Sequence, residues 1–268
     1  MMRQKQAIGN IIMVSKDGIF LKKEDQALEV SLSDKLDFYD IVKMKIEVLK
    51  DTSLQICYSN SKEIKLDITI VVQAGVTFRL QEIKTAKNTK IQTKYSILER
   101  AKVLVEKFYD TSFLRELDLF SLNGVGATID VRTRGIIKDK SVLDRVVYHN
   151  YPRTESNIDN RLVTMQKGLL KLYVTTIVYP KIRGCKANQN NQILKENKEN
   201  SVIKPILLIE ENDIEASHNA HIASIDKDTL YYFYTRGIDE KTARKIYIKG
   251  FLKGDFYNID KYMTKYWR

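Results

Sequence analysis

Short segments in which apolar and polar residues alternate recur through most of the chain. Clear examples are Ile64–Ile70, Ala127–Thr133 and Leu170–Val178. Because successive side chains of a β-strand point to opposite faces, each segment predicts a strand with one buried face. Candidate strands follow one another at intervals of roughly ten to twelve residues, with few helical patterns between them. The chain is therefore predicted to be mostly β up to about residue 224.

Signals for tight hairpin turns are scarce. The 268 residues include 11 Gly and 3 Pro, and Asn123-Gly124 is the one Asn-Gly pair. A sandwich or meander of this length usually needs more turns with positive φ. A parallel β-helix avoids that need, because each short strand turns onto the next face and pairs with the coil below. On these patterns alone, a sandwich and a β-helix stay equally open.

The sequence pattern becomes helical at Asp226. Asp226 can cap a first helix over about 227–236 that Gly237 ends, and Asp239 can cap a second helix. The second helix has one apolar stripe at helical spacing, formed by Ala243, Ile246, Tyr247, Gly250 and Phe251. We expect this tail to differ in structure from the β region before it.

Aromatic residues concentrate in the same tail. Eleven of the 25 lie in the last 44 positions, among them Tyr257, Tyr262, Tyr266 and Trp267. Two short helices cannot bury so much aromatic area between them. Packing against the end of the β region and an interface with a partner protein both stay open as interpretations.

Composition sets broad limits. With 43% apolar residues, the chain can bury a core as one large domain or two small ones. It has no run of about 18 apolar residues, and its N-terminus leads into no apolar stretch of signal-peptide length. We therefore expect a cytoplasmic protein that makes no membrane contact.

The formal charge of +11 raises the question of nucleic-acid binding, since basic proteins gain affinity through counterion release. The lysines, however, are spread along the chain and alternate with apolar residues, as in Val42–Val48. That distribution is typical of solvated strand faces and not of a basic arm. We expect no nucleic-acid partner.

The two cysteines, Cys57 and Cys185, cannot form a disulfide framework, and the chain has no zinc-binding spacing. Cys57 lies in the apolar, strand-like segment Leu54–Tyr58, which predicts a buried and inert thiol. Cys185 stands between Gly184 and Lys186, which predicts an exposed and slightly activated thiol.

Signatures of common catalytic sites are missing from the sequence. Asn123–Ala127 lacks the lysine and hydroxyl residue of a phosphate-binding loop, so we expect no ATP site in this chain. No Ser/His/Asp order, H-E-x-x-H pattern or carboxylate pair is recognisable either. These patterns predict a non-catalytic protein.

Two of the three histidines, His218 and His221, lie three residues apart in an extended segment. Residues at this spacing point to opposite faces of a strand, so the two cannot ligate one ion unless the segment is bent. A bare pair of this kind is more often structural. The third, His149, is expected to satisfy buried backbone groups.

Several short pieces of the sequence occur in a characteristic order. They are Tyr148–Pro152, Ser156-Asn157, Cys185–Leu194, Lys204-Pro205, Ser217–Ala220, Ser224–Asp226, Leu230–Phe233, Arg236–Ile238 and Gly250-Phe251. In this order they resemble the SufB/SufD family, the β-helical scaffold subunits of the Suf iron–sulfur cluster assembly machine. The resemblance is dense from about Val146 to Leu252 and diffuse before it.

The resemblance implies a fold of three parts. An irregular N-terminal segment would span residues 1–40, a right-handed parallel β-helix residues 41–224, and a C-terminal helical region that docks a partner residues 225–268. Family members commonly carry an extra helical region before the β-helix, which residues 1–40 are too short to hold. The resemblance thus favours the β-helix over the sandwich.

The same resemblance separates two subfamilies. SufB-type subunits carry a cysteine at the position of Asn190 and a glutamate at the position of Asn219. A thiolate is the soft ligand and sulfur acceptor of this chemistry, and asparagine cannot replace it. The chain is therefore similar to SufD, or to a compact relative of the pair, with an off-register role of Cys185 in sulfur transfer as an open alternative.

What the resemblance implies about function is a scaffold that pairs with a SufB-like subunit or an identical one. A transient iron–sulfur cluster would form at this interface on His218, with Glu215 or Asp213 as an oxygen ligand or orienter. A cysteine desulfurase system would supply sulfur indirectly, and the use of a flavin stays open.

A SufC-like ABC ATPase would dock on the C-terminal helices of such a scaffold. The residues that the resemblance assigns to this contact are Tyr231, Phe233, Arg236, Gly237, Ile246 and Phe251. The alternative is a β-helical binding or carbohydrate-active protein, which the missing carboxylate pair and the aromatic tail disfavour.

Overall fold

The computed structural model describes residues 10–15, 18–23, 29–32, 42–58, 63–85, 88–253, 256, 259–260 and 263. For the strands before residue 43 and for residues 63–64 it describes the backbone alone. Four aromatic residues of the C-terminal tail lie outside these ranges, namely Tyr257, Tyr262, Tyr266 and Trp267.

The described residues form seventeen strands and two helices. The strands are β1 (Asn10–Ser15), β2 (Gly18–Lys23), β3 (Glu29–Leu32), β4 (Val42–Val48), β5 (Thr52–Tyr58), β6 (Glu63–Val72), β7 (Thr77–Lys84), β8 (Asn88–Ile97), β9 (Lys102–Thr111), β10 (Phe113–Leu122), β11 (Thr128–Ile137), β12 (Ser141–His149), β13 (Glu155–Thr164), β14 (Leu170–Val178), β15 (Cys185–Lys195), β16 (Val202–Ile209) and β17 (Ile214–Ser224). The helices are α1 (Lys227–Thr235) and α2 (Glu240–Lys253).

Strands β4–β17 form a parallel β-solenoid. Odd-numbered strands build one sheet, sheet A, and even-numbered strands build the other, sheet B. Every pairing among these strands is parallel and joins residues of successive coils, such as Val42 with Leu66 in sheet B and Glu155 with Lys186 in sheet A. This topology confirms the predicted parallel β-helix, while its right-handed sense stays a prediction.

The alternating pattern explains why the strands close around a core. Inward-facing residues of successive coils stack in register, so that one buried residue lies directly above another. One such column in sheet A consists of Leu54, Leu80, Val105, Val131 and Ile158. Full burial of an aliphatic side chain stabilises the fold by about 1.5–3 kcal/mol, so each coil stabilises its neighbours.

The N-terminal segment differs from the expectation of an irregular stretch over residues 1–40. β1 pairs parallel with β5 and antiparallel with β2, and β3 pairs antiparallel with β4. The first coil otherwise presents unpaired backbone groups at its edge, and added strands satisfy them. These strands therefore extend both sheets beyond the first parallel coil.

The predicted helix caps are confirmed. The Asp226 side chain accepts a hydrogen bond from the Thr229 amide (2.6 Å), and the Asp239 side chain accepts one from the Thr242 amide (3.0 Å). Gly237 has a φ of 73° and follows the C-cap residue Arg236, as a left-handed residue that ends a helix. These local signals set where both helices begin and where α1 ends.

The buried stripe of α2 differs from the predicted one. Ala243, Ile248 and Leu252 are buried, whereas Ile246 and Tyr247 are exposed. Ile248 and Leu252 belong to an apolar cluster that extends over the ends of the sheet A strands. Its buried members are Ile83, Phe108, Ile136, Val163, Leu194, Ile225, Ile248, Leu252, Phe256, Ile259 and Met263. Among the described residues, no helix is both long and apolar enough to cross a bilayer.

Six charged side chains form a cluster in the interior of the solenoid. They are Glu82, Lys84, Lys107, Glu116, Asp118 and Arg145, all fully buried. Three cations face three carboxylates, and the Lys107 Nζ lies 2.5 Å from Glu116 Oε1 and 2.6 Å from Asp118 Oδ2. Sequence reasoning missed this ionic cluster, although its members stand at inward positions of alternating strands.

Candidate functional site at the open end of the solenoid

β17 is the last strand of sheet A and pairs on one side only, with β15. In this pairing His218 lies in register with Gln189. Gln189 is buried, and its side-chain amide donates to Thr176 Oγ1 on the opposite sheet (2.8 Å). His218 therefore belongs to the inward-facing column, at the level where the solenoid ends, and its side chain is exposed.

The end of the solenoid around His218 is apolar and incompletely buried. Ile222, on the same face of β17, is 39% exposed. On β16 the residues that continue the inward columns of β14 are Ile203, Pro205, Leu207 and Ile209, all half-buried. Among the described strands, β16 and β17 end their sheets, so each has one edge of backbone donors and acceptors that face away from the solenoid. This end can accept another β-structure.

His221 lies on the other side of the same strand. It is in register with Gln192, on the outer face of sheet A. The three-residue spacing therefore separates the two histidines in the way that strand geometry predicts. They cannot share one ion within this chain.

Glu215 does not accompany His218, contrary to the ligand pair that the resemblance implies. It lies on the outer face, with its Oε2 3.3 Å from the Lys186 Nζ. Asp213 precedes the strand, and its carbonyl accepts from the Gly184 amide (2.7 Å). In the part of the chain that the structure describes, no group of three His, Cys, Asp or Glu could hold a metal ion. A metal at His218 would need further ligands from outside these described residues.

The two asparagines that distinguish the subfamilies are neighbours on the outer face. Asn219 Nδ2 donates to Asn190 Oδ1 (3.2 Å), and Asn190 Nδ2 donates to Asp159 Oδ1 (2.8 Å). Side-chain amides thus connect three successive coils of sheet A. These hydrogen bonds hold β17 in register with β15, and neither asparagine provides a thiolate.

The prediction of an exposed Cys185 is wrong. This thiol is 1% exposed and lies 3.3 Å from Thr154 Oγ1 and 3.7 Å from the carbonyl oxygens of Tyr151 and Ile182. The thiol is therefore enclosed by neighbouring chain segments and is closed to solvent. Cys57, predicted to be buried, is half-buried.

His149 has a structural position beside this thiol. It is fully buried, with Nδ1 2.8 Å from Thr154 Oγ1 and Nε2 2.9 Å from Ser156 Oγ. Its partners include these two side-chain hydroxyls and, as the sequence suggested, a backbone group, that of Thr154. Burial lowers the pKa of His149 to about 4, so the imidazole is neutral at physiological pH. Its hydrogen bonds connect the turn at Thr154 to Ser156 of β13.

The helical tail presents a row of exposed aromatic residues. Tyr231 is 67% exposed and Ile246 45%, while Phe233 and Phe251 are half-buried. Arg236 is exposed, and its guanidinium lies 5.3 Å from the centre of the Tyr232 ring. The exposed set also includes Tyr232, Tyr234 and Tyr247. The tail therefore has two faces, one packed on the solenoid and one exposed to solvent.

The sequence profile of the family described as SUF system FeS cluster assembly, SufBD core domain, matches residues 53–251. The chain is 39% identical over 67 residues to the iron-sulfur cluster assembly protein SufD of Bacillus subtilis, which is 25% of this chain and 15% of SufD. It is 28% identical over 108 residues to SufB of the same organism, which is 39% of this chain and 23% of SufB.

A third similar protein is ABCI7, chloroplastic, of Arabidopsis thaliana. The two chains are 47% identical over 49 residues, which is 18% of this chain and 10% of ABCI7. The matched segments thus cover less than a quarter of the length of any of these three relatives.

Proposed function

Because this chain belongs to the SufB/SufD family of the Suf iron–sulfur cluster assembly system, we propose that it is a SufD-like scaffold subunit. In this role it pairs through the open end of its solenoid with a SufB-like subunit or with a second copy of itself. The observation that carries the proposal is the edge strand β17, which places His218 on an exposed, inward-facing column at the end of the fold.

Pairing would compensate for two features of this end, the unpaired strand edges and the half-buried apolar residues. An incoming strand completes the backbone hydrogen bonds of β16 or β17, and its side chains cover the half-buried apolar residues there. Ile222 and Leu207 would then be removed from water at an interface. Such an interface surrounds His218 with groups of both chains.

His218 is proposed to bind iron during assembly of the cluster. A neutral imidazole is a borderline ligand that suits iron, and it needs no charged neighbour to do so. Iron and sulfide are substrates here, and the remaining ligands come from the paired subunit. A cysteine desulfurase system supplies the sulfur, and the cytoplasm is the proposed location.

The helical tail is proposed to dock an ABC-type ATPase, which would perform the ATP hydrolysis. Its exposed aromatic residues provide anchors of the kind that concentrate binding energy. Leu252 and Ile248 of α2 pack in one cluster with strand ends of several coils of sheet A. Movement of the ATPase can therefore act on the solenoid through a packed contact. In this proposal the chain contributes the structural scaffold and the His218 ligand, and the ATPase performs the catalysis.

Co-purification tests the proposal. The chain is expressed with an affinity tag in its own cells, purified anaerobically, and its companions are identified by mass spectrometry. We expect a SufB-like chain or a second copy, together with an ABC-type ATPase. Recovery of the chain alone, with no ATPase at any salt concentration, would contradict the scaffold assignment and favour an unrelated binding protein.

A further inference from the structure

The lysines that are spread along the sequence meet on one face of the folded chain. On the outer face of sheet B, Lys65 of β6, Lys90 of β8 and Arg115 of β10 are in register with one another. Neighbouring strands of a sheet lie about 4.8 Å apart, so three cations stack at this spacing along the solenoid axis. Three further lysines on the same face are exposed, namely Lys43, Lys45 and Lys94.

Acidic side chains on this face are fewer. Among the described side chains, Asp67 lies 3.7 Å from Lys94, and Glu47 accepts a hydrogen bond from Gln73 (2.7 Å). Among the described side chains of its first four parallel coils, this face therefore has an excess of positive charge. This charge favours an anionic partner and accelerates its approach.

The three stacked cations line a groove of about 300 Å³. Its walls are formed by Lys65, Leu66, Lys90, Ile91, Gln92, Arg115 and Leu117. Leu117 is half-buried and stands two residues after Arg115 on the same face. Lysine and arginine present aliphatic stems beneath their charged ends, so the groove has an apolar floor and a cationic rim. This combination suits a ligand with both carboxylates and apolar side chains.

We propose that this groove binds an acidic amphipathic helix of a partner protein. In a helix, residues i, i+3 and i+7 lie on one face at axial distances of about 0, 4.5 and 10.5 Å. The three cations stand at about 0, 4.8 and 9.6 Å, which matches within about 1 Å. An extended peptide presents same-face side chains about 6.8 Å apart, so its carboxylates would not align with the three cations.

Other anionic partners fit this face less well. Single-stranded nucleic acid needs aromatic platforms for its bases, and none of the residues that line the groove is aromatic. A membrane surface needs several apolar side chains that insert. Among the described residues of the first four coils, Leu49 is the one large exposed apolar residue, whereas Ile206, Leu208 and Ile222 lie at the other end of the solenoid. The site is distant from the open end as well, so it is independent of the proposed subunit pairing.

The test uses a fluorescent helical peptide with glutamates at i, i+3 and i+7 and leucines beside them. A shuffled peptide of the same composition distributes the glutamates around the helix. Fluorescence anisotropy measures binding to the full chain at low and physiological salt. We expect saturable binding of the patterned peptide, weaker at higher salt, and weaker binding of the shuffled one.

Two triple variants complete the test. The groove variant carries Lys65→Gln, Lys90→Gln and Arg115→Gln, and it should lose about tenfold in affinity because three charge pairs with the peptide disappear. The control variant removes the same charge away from the outer face of sheet B, with Lys102→Gln and Lys186→Gln on the outer face of sheet A and Lys167→Gln in the turn after β13, and should bind as the wild type does. Circular dichroism confirms that both variants fold.

Four outcomes would overturn the proposal. They are equal binding of both peptides, no saturable binding of either, equal losses in both triple variants, and tighter binding of duplex DNA or anionic vesicles than of the patterned peptide. None of them affects the scaffold assignment, since co-purification of the partners does not depend on this groove.

Discussion

Lys107 and Asp118 form an ion pair with a distance of 2.6 Å inside the solenoid, and both side chains are completely buried. The cation also contacts Glu116 and Glu82, so one ammonium group serves three carboxylates. Burial opposes ionisation of Glu116, but Lys107 and Lys84 outweigh it and hold the pKa of Glu116 well below its usual value. The balance of three cations and three anions makes the interior sensitive to loss of any one charge.

Removal of Lys107 should destabilise the fold strongly. Lys107→Met keeps the volume of the side chain but leaves three buried carboxylates with Lys84 and Arg145 as the remaining cations of the cluster, which costs about 3–5 kcal/mol of unfolding free energy. Urea denaturation measures the loss. The matched control Lys94→Met, on the outer face of sheet B, should change stability by less than about 0.5 kcal/mol. Similar effects of both substitutions would contradict the role of the buried cluster.

Asp118 should make stability depend on pH. Burial, followed by the charge of Glu116, raises the pKa of Asp118 from 3.8 to about 7. The folded state therefore holds this proton more tightly than the unfolded state, so its contribution is present below pH 4 and is lost as pH rises towards 7. The loss cannot exceed about 1.4 kcal/mol per pH unit for one proton.

Comparison with Asp118→Asn isolates this effect. Between pH 4 and 7 the unfolding free energy of the wild type should fall relative to that of the variant, as followed by urea denaturation across this window. Parallel curves for the two proteins would show that Asp118 does not titrate in this range.

His218→Ala should lower the iron and sulfide content of the anaerobically purified complex without a change in folding. The imidazole is exposed on the inward column of the last strand, so its removal leaves no buried cavity. His221→Ala is the matched control, because its side chain lies on the outer face of the same strand. A larger loss of cluster in the His221 variant would show that the wrong histidine was assigned.

The exposed face of the helical tail should carry the contact with the ATPase. Tyr231→Ala combined with Ile246→Ala should weaken ATPase binding at least tenfold, since interface energy concentrates in a few large anchors. Surface plasmon resonance with the ATPase provides the measurement. Tyr179→Ala is the control, because Tyr179 is 46% exposed at a site remote from the tail. Unchanged affinity in the double variant would exclude this face as the docking surface.

Local signals in the sequence determined much of the fold. Alternation of apolar and polar residues determined the strands, because side chains point to opposite faces at every second position. Asp226, Asp239 and Gly237 determined helix ends, because their effect depends only on neighbouring backbone groups. The spacing of His218 and His221 likewise predicted that they lie on opposite faces of one strand.

Other features were decided only by the tertiary structure, since they depend on contacts between residues far apart in the chain. Register between coils collected Lys65, Lys90 and Arg115 into one column, although the sequence shows them as scattered charges. Packing against the strand ends selected which stripe of α2 is buried. Cys185 is buried against the turn that contains Tyr151, although its neighbours Gly184 and Lys186 in the sequence had suggested an exposed thiol.

The interior of the solenoid gives the clearest physical reason for this division. Glu82, Lys107 and Asp118 each break the rule that inward positions are apolar, and each alone would be costly to bury. Only the stacking of β7, β9 and β10 around a common interior brings the charges within contact distance, where they compensate one another. A sequence specifies which side chains point inward, but the partners of those side chains are fixed by the packing of coils.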